Sequence, residues 1–193
     1  MVETAPADGQ VDVVAVRGVR YYLGAPFKAP ELQISDVDIE VLITDQRLTV
    51  GARRWIGDVE QTVVGLSETR PAEASRHMAG HALVGQVRHE WLHYTRAIPS
   101  GWRQPEELGL GCTQDDGTPT RLTFTLAKGT SAQKVARELM RRVARHRLNV
   151  GDETRKATEH LRAIAESPET YETRQKNAWI IELGSHLALP DPE

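Results

Sequence analysis

The segment Asp38–Val50 (DIEVLITDQRLTV) constrains the fold more than any other part of this chain, because it joins strict alternation to an embedded turn. Ile39, Val41 and Ile43 fall on one face of an extended strand. The alternation resumes after the polar triplet Thr44–Gln46, whose residue types favour a tight turn. The pattern therefore predicts a β-hairpin with one buried face.

A second hairpin and a helix are predicted further along the chain. Leu108–Thr113 and Arg121–Leu126 have strand patterns and flank a connection rich in turn residues. Thr130–Gln133 resembles a capping box, which predicts a helix that runs to about Leu148. Gly151 is placed to end it. Antiparallel strands followed by an amphipathic helix indicate an α+β fold.

The sequence leaves residues 80–97 open between helix and strand. Within residues 67–99, Leu83, Val87 and Trp91 recur at helical spacing, so the local pattern leans towards a helix. Glycines interrupt that pattern, however, and the residues from Ala82 onward also fit a strand.

Two further helices are predicted after the glycine at 151. Glu153–Glu166 is a polar helix with a thin apolar edge, and Ser167–Pro168 then breaks the chain. A last helix carries an apolar face made of Trp179, Ile180, Leu183 and Leu187. We expect this face to dock on its own domain, and the alternative is a homodimer or a partner interface.

Composition sets limits on the function classes. The 193 residues carry a net charge of −3, which argues against affinity of the whole chain for nucleic acid or acidic membranes. Cys112 is the only cysteine, so no intrachain disulfide forms. Residues 1–10 resemble a disordered leader and not a signal peptide, and no stretch has the length of a membrane span. We therefore expect a cytoplasmic protein.

Two segments resemble bacterial pleckstrin-homology-like and GRAM-type domains. VLITDQRLTVGARRW (Val41–Trp55) looks like the strand–turn–strand of such domains, in which a Leu-Thr-Asn/Asp-x-Arg-Leu phrase is common. FTLAKGTSAQKVARELMRRVARHRL (Phe124–Leu148) looks like their last strand and capping helix.

The resemblance implies an antiparallel bent sheet or partly open barrel over residues 11–150, closed by the capping helix. Residues 151–193 lie outside the resemblance, and their pattern predicts a helical extension of one or two helices. Domains of this family are scaffolds that bind lipids, peptides or other proteins and have no catalytic residues, so the resemblance implies no cofactor.

The motif His89-Glu90-Trp91-Leu92-His93 matches the H-E-x-x-H pattern of zinc peptidases. On a helix, both imidazoles could bind one zinc ion, and Glu90 could act as general base. On a strand, residues four apart are about 13 Å from each other and cannot share a metal. A small zinc-dependent hydrolase is therefore the alternative function, and it depends on the open helix-or-strand question.

The predicted capping helix carries a basic stripe formed by Lys134, Arg137, Arg141 and Arg145. Such a stripe could contact an acidic protein or anionic headgroups, or it could be a solvated helix face whose charges suit the helix dipole. Nucleic acid is disfavoured because no aromatic-interleaved basic strand accompanies it. Arg53–Trp55 forms a smaller basic and aromatic tip. The sequence thus predicts a non-enzymatic interaction module that docks a protein or an anionic surface.

Overall fold

The computed structural model describes residues 12–52, 82–114, 116–151 and 155–184. The strands, in chain order, are β1 (Asp12–Leu23), β2 (Leu32–Ile43), β3 (Arg47–Ala52), β4 (Ala82–Arg88), β5 (Leu92–Ile98), β6 (Glu107–Thr113), β7 (Pro119–Leu126), β8 (Thr173–Gln175) and β9 (Ala178–Glu182). The helices are α1 (Ala132–Val150) and α2 (Arg155–Glu166), and 3₁₀ turns lie at His89–Trp91 and Pro168–Tyr171. The predicted α+β class is confirmed. None of the described helices is both long and apolar enough to cross a bilayer.

All nine described strands form one antiparallel sheet in the order β4-β3-β2-β1-β7-β6-β5-β9-β8. The strand β1 links the two halves, because it pairs with β2 on one side and with β7 on the other. The register shifts between Val16 and Gly18 in both pairings, so β1 carries a bulge at Arg17 that bends the sheet. The two ends of this order, β4 and β8, are not paired with each other, and the described sheet is bent and open as expected.

The predicted hairpin at 38–50 is β2 and β3. The Thr44 N–H donates to the Arg47 carbonyl at 2.9 Å, and the Thr44 hydroxyl accepts from the Arg47 N–H at 3.1 Å. Ile39, Val41 and Ile43 are buried in the core, as their alternation predicts. The second predicted hairpin is β6 and β7, paired in continuous register from Glu107 to Thr113.

The helix α1 closes the sheet, close to its predicted bounds. Its N-cap is Ser131, whose hydroxyl accepts from the Lys134 N–H, and not Thr130. Gly151 ends it with a φ of 76°, a left-handed conformation that favours glycine. Its buried stripe comprises Ala132, Ala136, Leu139, Met140, Arg142, Val143 and Ala144.

The helical leaning of the segment before Pro99 is wrong for its described part. Residues 82–98 form β4, a 3₁₀ turn and β5. The strand β4 pairs with β3, and β5 pairs with both β6 and β9. Sheet pairing with distant segments overrides the local helical spacing. Residues 67–81, the leader at 1–10 and the Arg53–Trp55 tip lie outside the described residues.

The predicted last helix is also wrong, since Ala178–Glu182 is a strand. It pairs with β5, with Ala97 opposite Trp179 and Tyr94 opposite Glu182. Ile181 and Leu183 are buried in the same core cluster as Leu161 and Ile164 of α2. Apolar residues between 155 and 184 therefore pack into the same core as the sheet, and the apolar face at 179–183 is covered within this chain. Leu187 lies outside the described residues.

Candidate interaction surface

The H-E-x-x-H segment forms a corner between two strands and is not a helix. His89, Glu90 and Trp91 form the 3₁₀ turn, and Leu92 and His93 begin β5. Geometry for shared zinc ligation by helical i, i+4 spacing is therefore absent. Within the described ranges, no three side chains of histidine, cysteine, aspartate or glutamate are arranged to hold one metal ion.

His89 is buried at this corner, with 1% of its surface exposed. Its Nδ1 lies 3.1 Å from the Asp45 carbonyl oxygen, which can only accept, so Nδ1 carries the hydrogen. Its Nε2 has no hydrogen-bond partner among the described residues. Desolvation lowers the pKa of His89 to about 3, and the facing His146 ring, 5.6 Å away between centroids, adds to this. The imidazole is therefore neutral at physiological pH.

Glu90 and His93 have different neighbours from each other. The Nε2–H of His146 donates to the Glu90 carboxylate at 2.9 Å. His93 Nε2 lies 2.6 Å from the Thr113 hydroxyl, and burial lowers the pKa of His93 to about 4. His89, Glu90 and His93 thus bond to a turn, to α1 and to β6 respectively, and no three metal-ligating side chains of the described residues converge on one point.

Two arginines of α1 fasten the helix to the sheet and are unavailable to a ligand. Arg142, whose side chain is 3% exposed, contacts the Asp12 and Glu138 carboxylates and donates to the Ile43 carbonyl at 3.1 Å. Arg147 donates to two carbonyl groups of the corner at Glu90 and Leu92, each at 2.8 Å. The spacing of basic residues along a helix does not show which of them are held by contacts within the chain and which are free in solvent.

The predicted stripe divides into paired and unpaired cations. Arg137 makes a bidentate contact with Glu172, through Nε at 2.6 Å and Nη2 at 2.7 Å, and the Glu172 side chain is only 4% exposed. Arg141 pairs with Glu138 on the same helix at 2.5 Å. Lys134 and Arg145 are exposed and form no ion pair with any described residue. These two side chains are the part of the stripe that is available to a partner.

The turn between β5 and β6 contains an exposed aromatic that the sequence analysis missed. Trp102 is 89% exposed, and the Arg103 guanidinium lies 4.8 Å from the centroid of its ring. Paired contacts between Gly101 and Gln104 close the turn. A tryptophan between two prolines, in the phrase PSGWRQP, was the signal that could have found it.

Cys112 is a core residue and not a nucleophile. It lies on β6, is buried among apolar side chains, and burial raises the pKa of its thiol far above physiological pH.

Comparison with known proteins gives no independent assignment. No protein-family model matches the sequence, and none of the curated proteins matches it either.

Proposed function

We propose that this chain is a cytoplasmic, non-enzymatic interaction module that docks an acidic protein or another anionic surface through the exposed cations of α1. The observation that carries the proposal is the division of the basic stripe: Lys134 and Arg145 are exposed and unpaired among the described residues, whereas nearby acids are engaged internally. The proposal agrees with the resemblance to pleckstrin-homology-like domains.

The charge pattern supports docking at a defined face. Glu172 and Glu138 neutralise the middle of the stripe, which leaves cations near the two ends of the helix. Lys134 and Arg145 are eleven residues apart, so they share a helix face and lie about 16 Å from each other along the axis. The chain as a whole is negative, with a net charge of −3. A local positive face on a negative protein gives orientation to an encounter with an anionic partner.

Retention on immobilised heparin at low salt tests this surface. We expect the wild-type chain to be retained despite its net negative charge. Each change in Lys134→Glu/Arg145→Glu removes a cation and adds an anion, so the double variant should lose about a hundredfold in affinity. Since neither side chain has a described ion-pair partner, the circular dichroism spectrum should stay that of the wild type.

The matched control is Lys156→Glu/Arg162→Glu, which makes the same charge change at exposed positions of α2. This control should elute from heparin at nearly the same salt concentration as the wild type. If both double variants lose the same heparin affinity, only net charge matters, and the assignment of the α1 face is contradicted.

The second candidate function is the zinc-dependent hydrolase with His89 and His93 as ligands and Glu90 as base. One observation favours it: His89 Nε2 and His93 Nδ1 are both buried without a hydrogen-bond partner among the described residues. Against it, the Glu90 carboxylate binds His146 and the segment is not helical.

Metal content separates the two candidate functions. We expect elemental mass spectrometry of tag-free, natively purified protein to give zinc well below one equivalent per chain. About one zinc per chain that is lost in His89→Ala, and kept in Glu90→Gln with loss of hydrolytic activity, would make the hydrolase the leading function.

A further inference from the structure

Trp102 is 89% exposed in the described part of the chain. Residues 99–105 are all exposed, and the Arg103 guanidinium stacks on the indole ring. Arg103 has a φ of 149°, a conformation that L-residues rarely adopt. The turn thus holds an exposed tryptophan next to a strained backbone position, and backbone strain of this kind clusters at functional sites.

Unpaired cations gather at the same end of the sheet. The β5–β6 turn leads into Glu106, whose carboxylate accepts from the Ala132 N–H at 2.6 Å and whose carbonyl accepts from Leu126 at 2.9 Å. This end therefore also contains the residues just after β7 and the first turn of α1. The β8–β9 turn lies there as well, because Ala97 near the end of β5 is opposite Trp179 of β9. The exposed basic residues of these four segments are Arg103, Lys128, Lys134 and Lys176.

Three acidic side chains at this end are engaged by other groups of the chain. Glu106 accepts from the N-terminus of α1, Glu107 pairs with Arg20 at 2.6 Å, and Glu172 pairs with Arg137. None of the four basic side chains forms an ion pair within the described parts of the chain. The described residues at this end thus carry four cations without an ion-pair partner, although the whole chain is negative.

We propose that Trp102 inserts into the interface of an anionic phospholipid bilayer while these four cations contact its headgroups, an inference that rests on the proposed docking function and names its partner. Tryptophan partitions to the level of the headgroups, where its ring is desolvated and its N–H stays hydrated. Lysine and arginine near an anionic leaflet add an attraction worth about fivefold in affinity per residue. The stacked pair Trp102–Arg103 supplies both in one turn.

The shape of the turn favours a bilayer over a protein partner. The tip projects a single aromatic with exposed residues on both sides, and prolines at 99 and 105 limit its conformations. Binding hot spots between proteins lie in flat or pocketed patches whose surrounding contacts exclude water. Among the described residues, the tip has no such surroundings, whereas a bilayer would surround it.

Co-sedimentation with vesicles tests the proposal, using phosphatidylcholine alone and phosphatidylcholine mixed with phosphatidylserine. The full chain should bind only the mixed vesicles, and Trp102→Ala should lose at least about tenfold in affinity. Trp102→Phe should bind nearly as well as the wild type. Brominated lipids should quench part of the tryptophan fluorescence of the wild type, and this part should disappear in Trp102→Phe. The control Val150→Ser, at an exposed apolar position at the far end of α1, should bind like the wild type.

Three results would overturn the insertion proposal. Trp102→Ala could bind as well as the wild type, or the quenching could be the same in the wild type and Trp102→Phe. Finally, the wild type could fail to bind the mixed vesicles while it is retained on heparin, which would leave the docking function standing with an acidic protein as partner. If the wild-type chain is neither retained on heparin nor bound to the mixed vesicles, the docking function itself is contradicted.

Discussion

Replacing Gly111 with alanine should lower the free energy of unfolding by about 3 kcal/mol. Gly111 lies on β6 directly opposite Tyr94 on β5, and the tyrosine ring covers the glycine. A Cβ built on Gly111 would lie 1.9 Å from Tyr94 Cε1 and 2.4 Å from two further ring atoms. The ring is 8% exposed and held in the sheet, so relief requires moving either a strand or a buried aromatic. Urea denaturation gives the free-energy change.

Gly109 provides the matched control on the same strand. A Cβ on Gly109 would meet the Arg96 Cβ at 3.5 Å, an ordinary contact distance. Gly109→Ala should therefore change stability by less than about 1 kcal/mol. In a Tyr94→Ala background, adding Gly111→Ala should cost little, because the clash has been removed. The proposed clash would be contradicted if Gly109→Ala and Gly111→Ala lowered the free energy of unfolding equally. It would also be contradicted if Gly111→Ala were equally destabilising in the Tyr94→Ala background.

Acidification from pH 6.5 to pH 5 should destabilise the protein by about 2 kcal/mol through His89 alone. The pKa of His89 is lowered to about 3 in the folded chain by burial and by the facing His146, Arg142 and Arg147, whereas an unfolded chain has the ordinary value of 6.5. Between these values the unfolded state binds a proton that the folded state does not, so stability falls as pH falls. The contribution of His89 to the free energy of unfolding is therefore fully present only above pH 6.5. His93, with a pKa lowered to about 4, acts in the same direction.

Urea denaturation at several pH values between 5 and 7.5 measures this dependence. The carboxylates with lowered pKa values, Glu90 and Glu138, titrate below this window, so the slope there reports histidines. His89→Asn keeps a donor for the Asp45 carbonyl but does not titrate. We expect this variant to be less stable at pH 7.5 and to have a smaller slope between pH 5 and 6.5. A slope equal to that of the wild type would show that His89 is not the responsible group.

The candidate surface illustrates how far residue types alone can lead. The basic stripe of α1 was evident at Lys134, Arg137, Arg141 and Arg145, because helical spacing places them on one face. The sequence did not show that Glu172, 35 positions further along the chain, forms an ion pair with Arg137. It also did not show that Trp102 is exposed, since a tryptophan in a turn more often folds inward. Both facts depend on which distant side chains lie nearby.

The sequence by itself determined the elements whose signals are local. The hairpin of β2 and β3 and the helix α1 formed where alternation, turn residues and end-capping residues predicted them, because each signal acts within a few residues. Tertiary structure decided the elements at 82–98 and 178–182. The apolar spacing of the first fitted a helix as well as a strand, and that of the second indicated a helix. Pairing with β3, β6 and β5 made both of them strands. Strand pairing joins segments far apart in the chain, so the free energy that settles such a segment's conformation comes from contacts that its own residues do not specify.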